Sequence, residues 1–276
     1  MTAKTGKPAS KEGRDPRRSY AAIIERIFLH RYKKGQNVVE FTRQDLIDTA
    51  HELGVDLPKN IGDVVYSFRY RRDLPSAIAK TCSAKESWFI FPAGQAKYRF
   101  ERRAANPLVP RTDLQQIKIP NATPEIIRKY ALSDEQALLA IVRYNRLIDI
   151  FTGVTTYSLQ NHLRTSVAGI GQIEVDELYI GVNTKGVHFV IPVQAKGRTD
   201  RLGIIQVWQD VSFCKAQFPE LVPRPIGVQF LPDGAVAMLE LVVEGDDVKV
   251  SAERHYRLVS KDELTDAELA AIRARE

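Results

Sequence analysis

Two neighbouring apolar segments, residues 172–182 and 187–195, constrain the fold of this chain most strongly. Each has the length of a β-strand, and the polar residues 183–186 between them are typical of a hairpin turn. The second segment reads VHFVIPVQA, and this almost continuous apolar run predicts a central strand that is buried on both faces. An unpaired polar group in such a strand costs about 1–3 kcal/mol. Gln194, near the end of the run, and Lys196, just after it, therefore require an explanation.

The polar residues of the two segments fall on faces that a hairpin brings together. Successive side chains alternate between the faces of a strand, so Glu174 and Asp176 share one face, as do Gln194 and Lys196. A hairpin can then gather Asp176, Gln194 and Lys196 on one side of a sheet. Carboxylate and amide oxygens suit a hard divalent cation. A lysine beside them can orient or deprotonate water if burial and its neighbours lower its pKa.

At these residues the chain resembles the PD-(D/E)xK nuclease superfamily, whose pattern is an acid on one strand and acid-x-Lys on the next. Here the pattern reads Asp176, then Gln194-Ala195-Lys196 after an 18-residue step. The predicted order of strand, hairpin, strand and helix also matches. The resemblance implies hydrolysis of DNA phosphodiester bonds with Mg²⁺, or alternatively Mn²⁺, as cofactor. It implies that Asp176 is a metal ligand and that Lys196 serves the attacking water.

Gln194 departs from this family pattern, which usually has Glu or Asp at its position. Glutamine variants occur among family members that still cut, but the change removes one negative charge from the site. The main-chain carbonyl of Ala195 is a candidate for a further oxygen ligand. Glu174 and Glu177 are candidates for the missing acid, and Glu174 is favoured because it faces the same way as Asp176.

Neutral polar residues on both sides of the hairpin extend the candidate site. Many family members place a Glu on a helix before the first strand, but residues 157–167 contain no acid. Gln160 or Asn161 is then the candidate for a neutral ligand, and Gln160 also for a DNA contact. On the helix predicted after Lys196, the resemblance places Gln206 or Gln209 against the site or the DNA. His162 is interpreted either as a phosphate contact or base, or more simply as a surface residue.

Positive charge is concentrated in the first part of the chain. Residues 1–103 contain 21 Lys and Arg against 12 Asp and Glu, whereas residues 104–276 contain 19 against 22. This asymmetry indicates a module that binds a polyanion, joined to a second part with another task. Residues 1–18 are polar and basic, which predicts a disordered arm.

The pattern of residues 19–103 resembles a winged helix-turn-helix domain. Apolar spacing predicts a helix, a short strand, two further helices and a closing hairpin, and Thr42 with Asp45 forms a capping-box signal at the second helix. In this family the third helix enters the major groove of double-stranded DNA and the hairpin is the wing. The alternative is a winged helix that binds a protein. The residues expected to contact phosphates and base edges are Lys59, Asn60, Ser67, Arg69, Arg71 and Arg72.

The remaining chain divides into a connection and a second domain. Three prolines within residues 104–120 predict a linker, and a helix that opens at Ser133 and ends near Gly153 is expected to bridge the two halves. Residues 157–276 are predicted to form the nuclease-like domain. The expected fold class is therefore α/β, with a restriction-endonuclease-like mixed-sheet core preceded by a winged helix-turn-helix domain.

These patterns together predict a metal-dependent DNA endonuclease of restriction or genome defence. The alternatives are a non-catalytic DNA-binding regulator on a decayed nuclease core, or a repair nuclease selective for branched DNA. Cutting both strands requires two sites, as in a homodimer, or two events. No P-loop spacing, no run of 18 apolar residues and no secretory signal occur, so neither ATP nor a membrane is expected. Two cysteines, too few for a disulfide scaffold, favour a cytoplasmic location.

Overall fold

A computed structural model describes residues 16–70, 72–105, 108–130, 135–167, 170–198, 200–245 and 247–274, without the side chains of residues 16–18 and Lys261. Arg71, Ser133 and residues 1–15 of the predicted arm lie outside this description. The chain divides into two compact units, residues 1–103 and 104–276. None of the described helices is long and apolar enough to cross a membrane.

The first unit contains four helices and a three-stranded sheet. Its sheet has the strand order β1-β3-β2, with β1 antiparallel to β3. The short helix α4 is the one element of the described part that the sequence did not predict. The elements in chain order are α1 (Pro16–Arg31), β1 (Val38–Thr42), α2 (Arg43–Leu53), α3 (Gly62–Tyr70), α4 (Ser76–Ala79), β2 (Glu86–Pro92) and β3 (Lys97–Ala104).

Local capping defines the second helix of this unit, as the sequence predicts. The Thr42 hydroxyl accepts a hydrogen bond from the Asp45 N–H, and the Asp45 carboxylate accepts one from the Thr42 N–H. At the other end Gly54 adopts a left-handed conformation, φ 60°, which a residue without a Cβ reaches at little cost. Below these ends the aromatic rings of Phe28, Phe41 and Phe100 pack at the centre of the core.

The second unit is built on one large mixed sheet, which confirms the predicted mixed α/β character. The sheet has eight strands, seven of them in the order β4-β11-β10-β9-β7-β6-β5, while β8 pairs with β7. The elements are β4 (Gln116–Pro120), α5 (Glu125–Tyr130), α6 (Glu135–Tyr144), α7 (Leu147–Thr152), β5 (Thr155–Val167), β6 (Gly171–Val182), β7 (His188–Lys196), α8 (Ile204–Gln217), β8 (Val222–Pro223), β9 (Ile226–Phe230), β10 (Val236–Glu244), β11 (Asp247–Val259), a 3-10 helix (Lys261–Glu263) and α9 (Asp266–Arg273).

The strand β7 lies between β6 and β9 and is buried over most of its length, as its apolar sequence predicts. It runs antiparallel to β6 and parallel to β9. Ile191 and Val193 pack on one face with residues of α6 and α7, and Val190 packs on the other face with residues of α8. Helices therefore cover both faces of the sheet around this strand.

The predicted linker, residues 104–156, is instead part of the second unit. Its strand β4 forms an edge of the large sheet by pairing in parallel with β11, so the prolines do not mark a free connection. The predicted bridging helix is divided at Asn145 and Arg146, where Arg146 has φ 51°. The Asn145 side chain turns away to bond the backbone of Ala122 and the hydroxyl of Thr123, which explains the break.

Candidate functional site

The pairing of β6 with β7 stops where their polar residues begin. Regular register runs from Val182 and His188 to Glu177 and Val193. Beyond that point Asp176 Oδ2 accepts a hydrogen bond of 2.8 Å from the backbone N–H of Ala195. The side chain of one strand thus occupies the place of a main-chain acceptor for the other.

Asp176 presents a half-buried carboxylate at this opening. Burial raises its pKa, while the Ala195 N–H and the Lys196 ammonium act in the opposite direction. Its second oxygen, Oδ1, accepts no hydrogen bond from the described residues. One oxygen therefore anchors the side chain to β7, and the other is available to a ligand.

Gln194 is 1% exposed, and hydrogen bonds hold both ends of its amide. Its Nε2 donates to the backbone carbonyl of Glu174 and to Asp210 Oδ2, each at 2.9 Å. Its Oε1 accepts from Gln206 Nε2 at 2.6 Å. Because both partners of Nε2 are acceptors, only this orientation of the amide satisfies the network. Gln194 thereby ties β7 to both β6 and α8, and the predicted DNA contact Gln206 belongs to the site itself.

Lys196 follows at the end of β7 and is half-buried. It forms no hydrogen bond or ion pair with the residues that the structure describes. Its positive charge lowers the pKa of both Asp176 and Asp210, which places the ammonium on their side of the sheet. The structure therefore brings the three predicted residues, Asp176, Gln194 and Lys196, into one site.

Asp210 on α8 belongs to the same network but was missed by the sequence analysis. Its side chain is 1% exposed, and burial raises its pKa well above the ordinary value. Oδ2 accepts the bond from Gln194, whereas Oδ1 has no hydrogen-bond partner. Its position four residues after Gln206, on the face of α8 that also carries Cys214, was the available signal.

A basic group on the edge strand β5 adjoins Glu174. Arg164 Nη2 lies 2.9 Å from Glu174 Oε1, and His162 Nε2 lies 3.5 Å from the same oxygen. His162 has φ 53°, a conformation that is uncommon in a non-glycine residue and characteristic of functional sites. Glu174, the favoured extra acid, is therefore paired with cations and not available as an uncommitted ligand.

Other predicted site residues lie apart from this network. Glu177 is 1% exposed and pairs with Arg143 and with the Tyr179 hydroxyl, which removes it as a candidate for the missing acid. Gln160 and Asn161 are exposed on β5. Residues 157–167 form most of that strand, so the helix that the family places before its first strand is not found in this segment.

The donor atoms around Asp176 fit a weakly chelated Mg²⁺. Among the described residues, no three His, Cys, Asp or Glu side chains form a group able to hold a metal. Mg²⁺ requires less, because proteins commonly bind it through one or two carboxylates while waters and substrate phosphates complete its shell. The free Oδ1 of Asp176, with the amide oxygen of Gln194, provides such a partial site.

The predicted DNA contacts of the first unit divide into exposed and buried groups. Lys59 and Asn60 are exposed before α3, where the Asn60 side chain accepts from the Gly62 N–H. Ser67 is half-buried, and the Arg72 guanidinium lies 5.2 Å from the Phe68 ring centre.

Arg69 differs from the expected outward orientation. Its Nε and one terminal nitrogen are buried without a hydrogen-bond partner, and burial lowers its pKa. Its guanidinium lies 5.0 Å from the centre of the Tyr70 ring. The helical spacing placed Arg69 on the polar side of α3, but packing against aromatic side chains covers it.

Comparisons with protein-family models, with curated proteins and with solved structures give no match for this chain. An interpretation of its function therefore depends on the chemistry of the residues described above.

Proposed function

We propose that this protein is a Mg²⁺-dependent endonuclease that hydrolyses phosphodiester bonds of double-stranded DNA, in the manner of the PD-(D/E)xK nucleases. One observation carries the proposal. The Asp176 carboxylate bonds to the backbone of Ala195, the residue between Gln194 and Lys196, so an acid, an amide and an ammonium converge where two strands separate. Restriction or genome defence is the proposed role.

Each residue has a distinct task in this proposal. Asp176 and the Gln194 amide oxygen would hold Mg²⁺ or Mn²⁺, and the bound ion supplies Lewis-acid polarisation of a phosphate and a lowered pKa of water. Lys196 orients the attacking water and offsets the negative charge that develops on the phosphate. The hydrogen bonds of Gln194 to β6 and α8 keep the two strand ends in place. Arg164 and His162 contribute positive charge along the expected path of the DNA backbone.

The first unit supports the DNA-binding part of the proposal. Its order of helix, strand, two helices and hairpin is that of the resembled winged helix-turn-helix, with one short helix added. The excess of Lys and Arg over acids lies in residues 1–103. Lys59 and Arg72 flank α3, and we assign to them contacts with phosphates.

Lys59→Ala and Arg72→Ala, each in the full chain, should weaken binding to duplex DNA at every sequence. Each contact with a phosphate that is lost should lower the slope of log affinity against log salt by about 1. Fluorescence anisotropy at several salt concentrations measures both effects. Arg128→Ala, an exposed site on α5, is the control. Unchanged affinity and slope in both variants would favour a winged helix that binds a protein.

Incubation of supercoiled plasmid with the full chain and Mg²⁺ or Mn²⁺ tests the catalytic part directly. Nicked or linear product is expected, and discrete bands on modified and unmodified phage DNA would indicate sequence-specific cleavage. Preference for branched over linear duplexes would instead favour a repair nuclease. The missing charge at Gln194 motivates a second candidate, a DNA-binding regulator without catalysis, which predicts DNA binding and no product with either metal.

Gln194→Glu should destabilise the metal-free protein and increase its response to metal. A carboxylate cannot donate to the Glu174 carbonyl and Asp210, so these acceptors would lose a buried partner at a cost of about 1–3 kcal/mol. A divalent cation would relieve the repulsion. Melting curves with and without Mn²⁺ measure both effects, with Gln160→Glu on β5 as control. Wild-type stability without metal would contradict the hydrogen-bond network described here.

A further inference from the structure

Asp210 is a buried acid whose chemistry the proposed mechanism does not yet use. It is 1% exposed, and its Oδ1 has no hydrogen-bond partner. No cation forms an ion pair with it in the described part of the chain. A carboxyl group held in this way is costly to bury, and an apolar residue would pack at the same place on α8 without that cost.

The single hydrogen bond that Asp210 does form leads directly to the candidate site. Oδ2 accepts from Gln194 Nε2 at 2.9 Å, and the other end of the same amide carries the oxygen proposed as a ligand. An acceptor behind an amide N–H orients the amide and increases the negative charge on its oxygen. Carboxylates that accept a bond from a metal-binding side chain act in this way, by fixing the ligand and raising its basicity.

We propose that Asp210 is the positioning acid of the cation site, and that through the Gln194 amide it supplies the negative charge that a carboxylate at residue 194 would otherwise bring. Gln194 and Asp210 then act together as one anionic ligand divided over β7 and α8. The ligand is a divalent cation held at Asp176. This inference rests on the proposed function, because it assigns a further residue to the same site.

Asp210→Asn tests the inference with little change in shape. The amide oxygen of the new side chain can still accept from Gln194, so mainly the charge is removed. In the absence of metal we expect the variant to melt at or above the wild-type temperature, because it buries no acid. We expect its affinity for Mn²⁺, measured by titration calorimetry in the absence of DNA, to fall by about 10–100-fold.

An exchange of the two side chains provides the second variant. Gln194→Glu combined with Asp210→Asn keeps the total charge and lets the new amide on α8 donate to the new carboxylate on β7. Recovery of most of the lost Mn²⁺ affinity in the double variant supports the inference. Glu244→Gln removes one exposed acid at the β10–β11 turn and should leave the affinity unchanged.

The outcomes separate this inference from the proposed function. Wild-type Mn²⁺ affinity in Asp210→Asn, combined with a strong loss in Asp176→Asn, would overturn the role of Asp210 alone. Wild-type affinity in both variants, or no Mn²⁺ binding by the unaltered chain, would overturn the cation site itself. A lowered melting temperature in Asp210→Asn without recovery of affinity in the double variant would make Asp210 a structural residue and also overturn the inference.

Discussion

Asp176→Asn should abolish Mg²⁺-dependent nicking of supercoiled plasmid while duplex binding remains close to that of the unaltered chain. We expect a decrease in rate of roughly a thousandfold or more, equivalent to about 4 kcal/mol of activation free energy. The reason is that Oδ1 of Asp176 is the one carboxylate oxygen of the predicted triad that no described residue occupies. Affinity for the duplex depends mainly on Lys and Arg contacts with phosphates, which this change leaves in place.

The fold should tolerate this substitution. The amide oxygen of asparagine can accept the N–H of Ala195, so the link between β6 and β7 is kept. Equal melting temperatures would show this, and Asp233→Asn at the exposed β9–β10 turn is the matched control for the loss of a surface charge. Cleavage at the full rate by purified Asp176→Asn protein would remove Asp176 from the site, even if the chain proves to be a nuclease.

The centre of the site was accessible from the sequence because it depends on local patterns. An apolar run identifies β7, alternation places Gln194 and Lys196 on one face, and a turn signal joins the strand to β6. These features need only the two-residue period of a strand and the short connection of a hairpin. The structure shows the hairpin as predicted and adds the splayed strands at Asp176, which no local pattern encodes.

The parts of the site that escaped prediction depend on packing between distant segments. Asp210 meets Gln194 because α8 lies across the sheet, and helix periodicity alone does not tell which strand a helix face will cover. The same limit explains the predicted linker. Three prolines indicate irregular chain, but Gln116–Pro120 becomes an edge strand by pairing with β11, more than a hundred residues later. Arg69 shows the converse, since aromatic neighbours bury a residue that helix spacing places outside.

Lys196→Ala should lower the rate of cleavage by about 10²–10³-fold while metal affinity and duplex affinity stay unchanged. Because Lys196 bonds to no described residue, its removal leaves no buried partner unsatisfied, and we expect stability to change by less than about 0.5 kcal/mol. A loss of rate without a loss of binding or stability is the signature of a group that acts in the transition state.

Lys196→Arg distinguishes a positioned ammonium from simple positive charge. Arginine retains the charge, but its guanidinium is larger, planar and effectively never deprotonated, so we expect only poor recovery of the cleavage rate. Lys185→Ala, an exposed lysine in the turn between β6 and β7, is the control for lost charge on the same hairpin. Single-turnover nicking assays at saturating Mg²⁺ measure all three variants. A rate for Lys196→Ala within about threefold of the unaltered chain, less than about 1 kcal/mol of barrier, would show that the chemistry lies elsewhere in the chain.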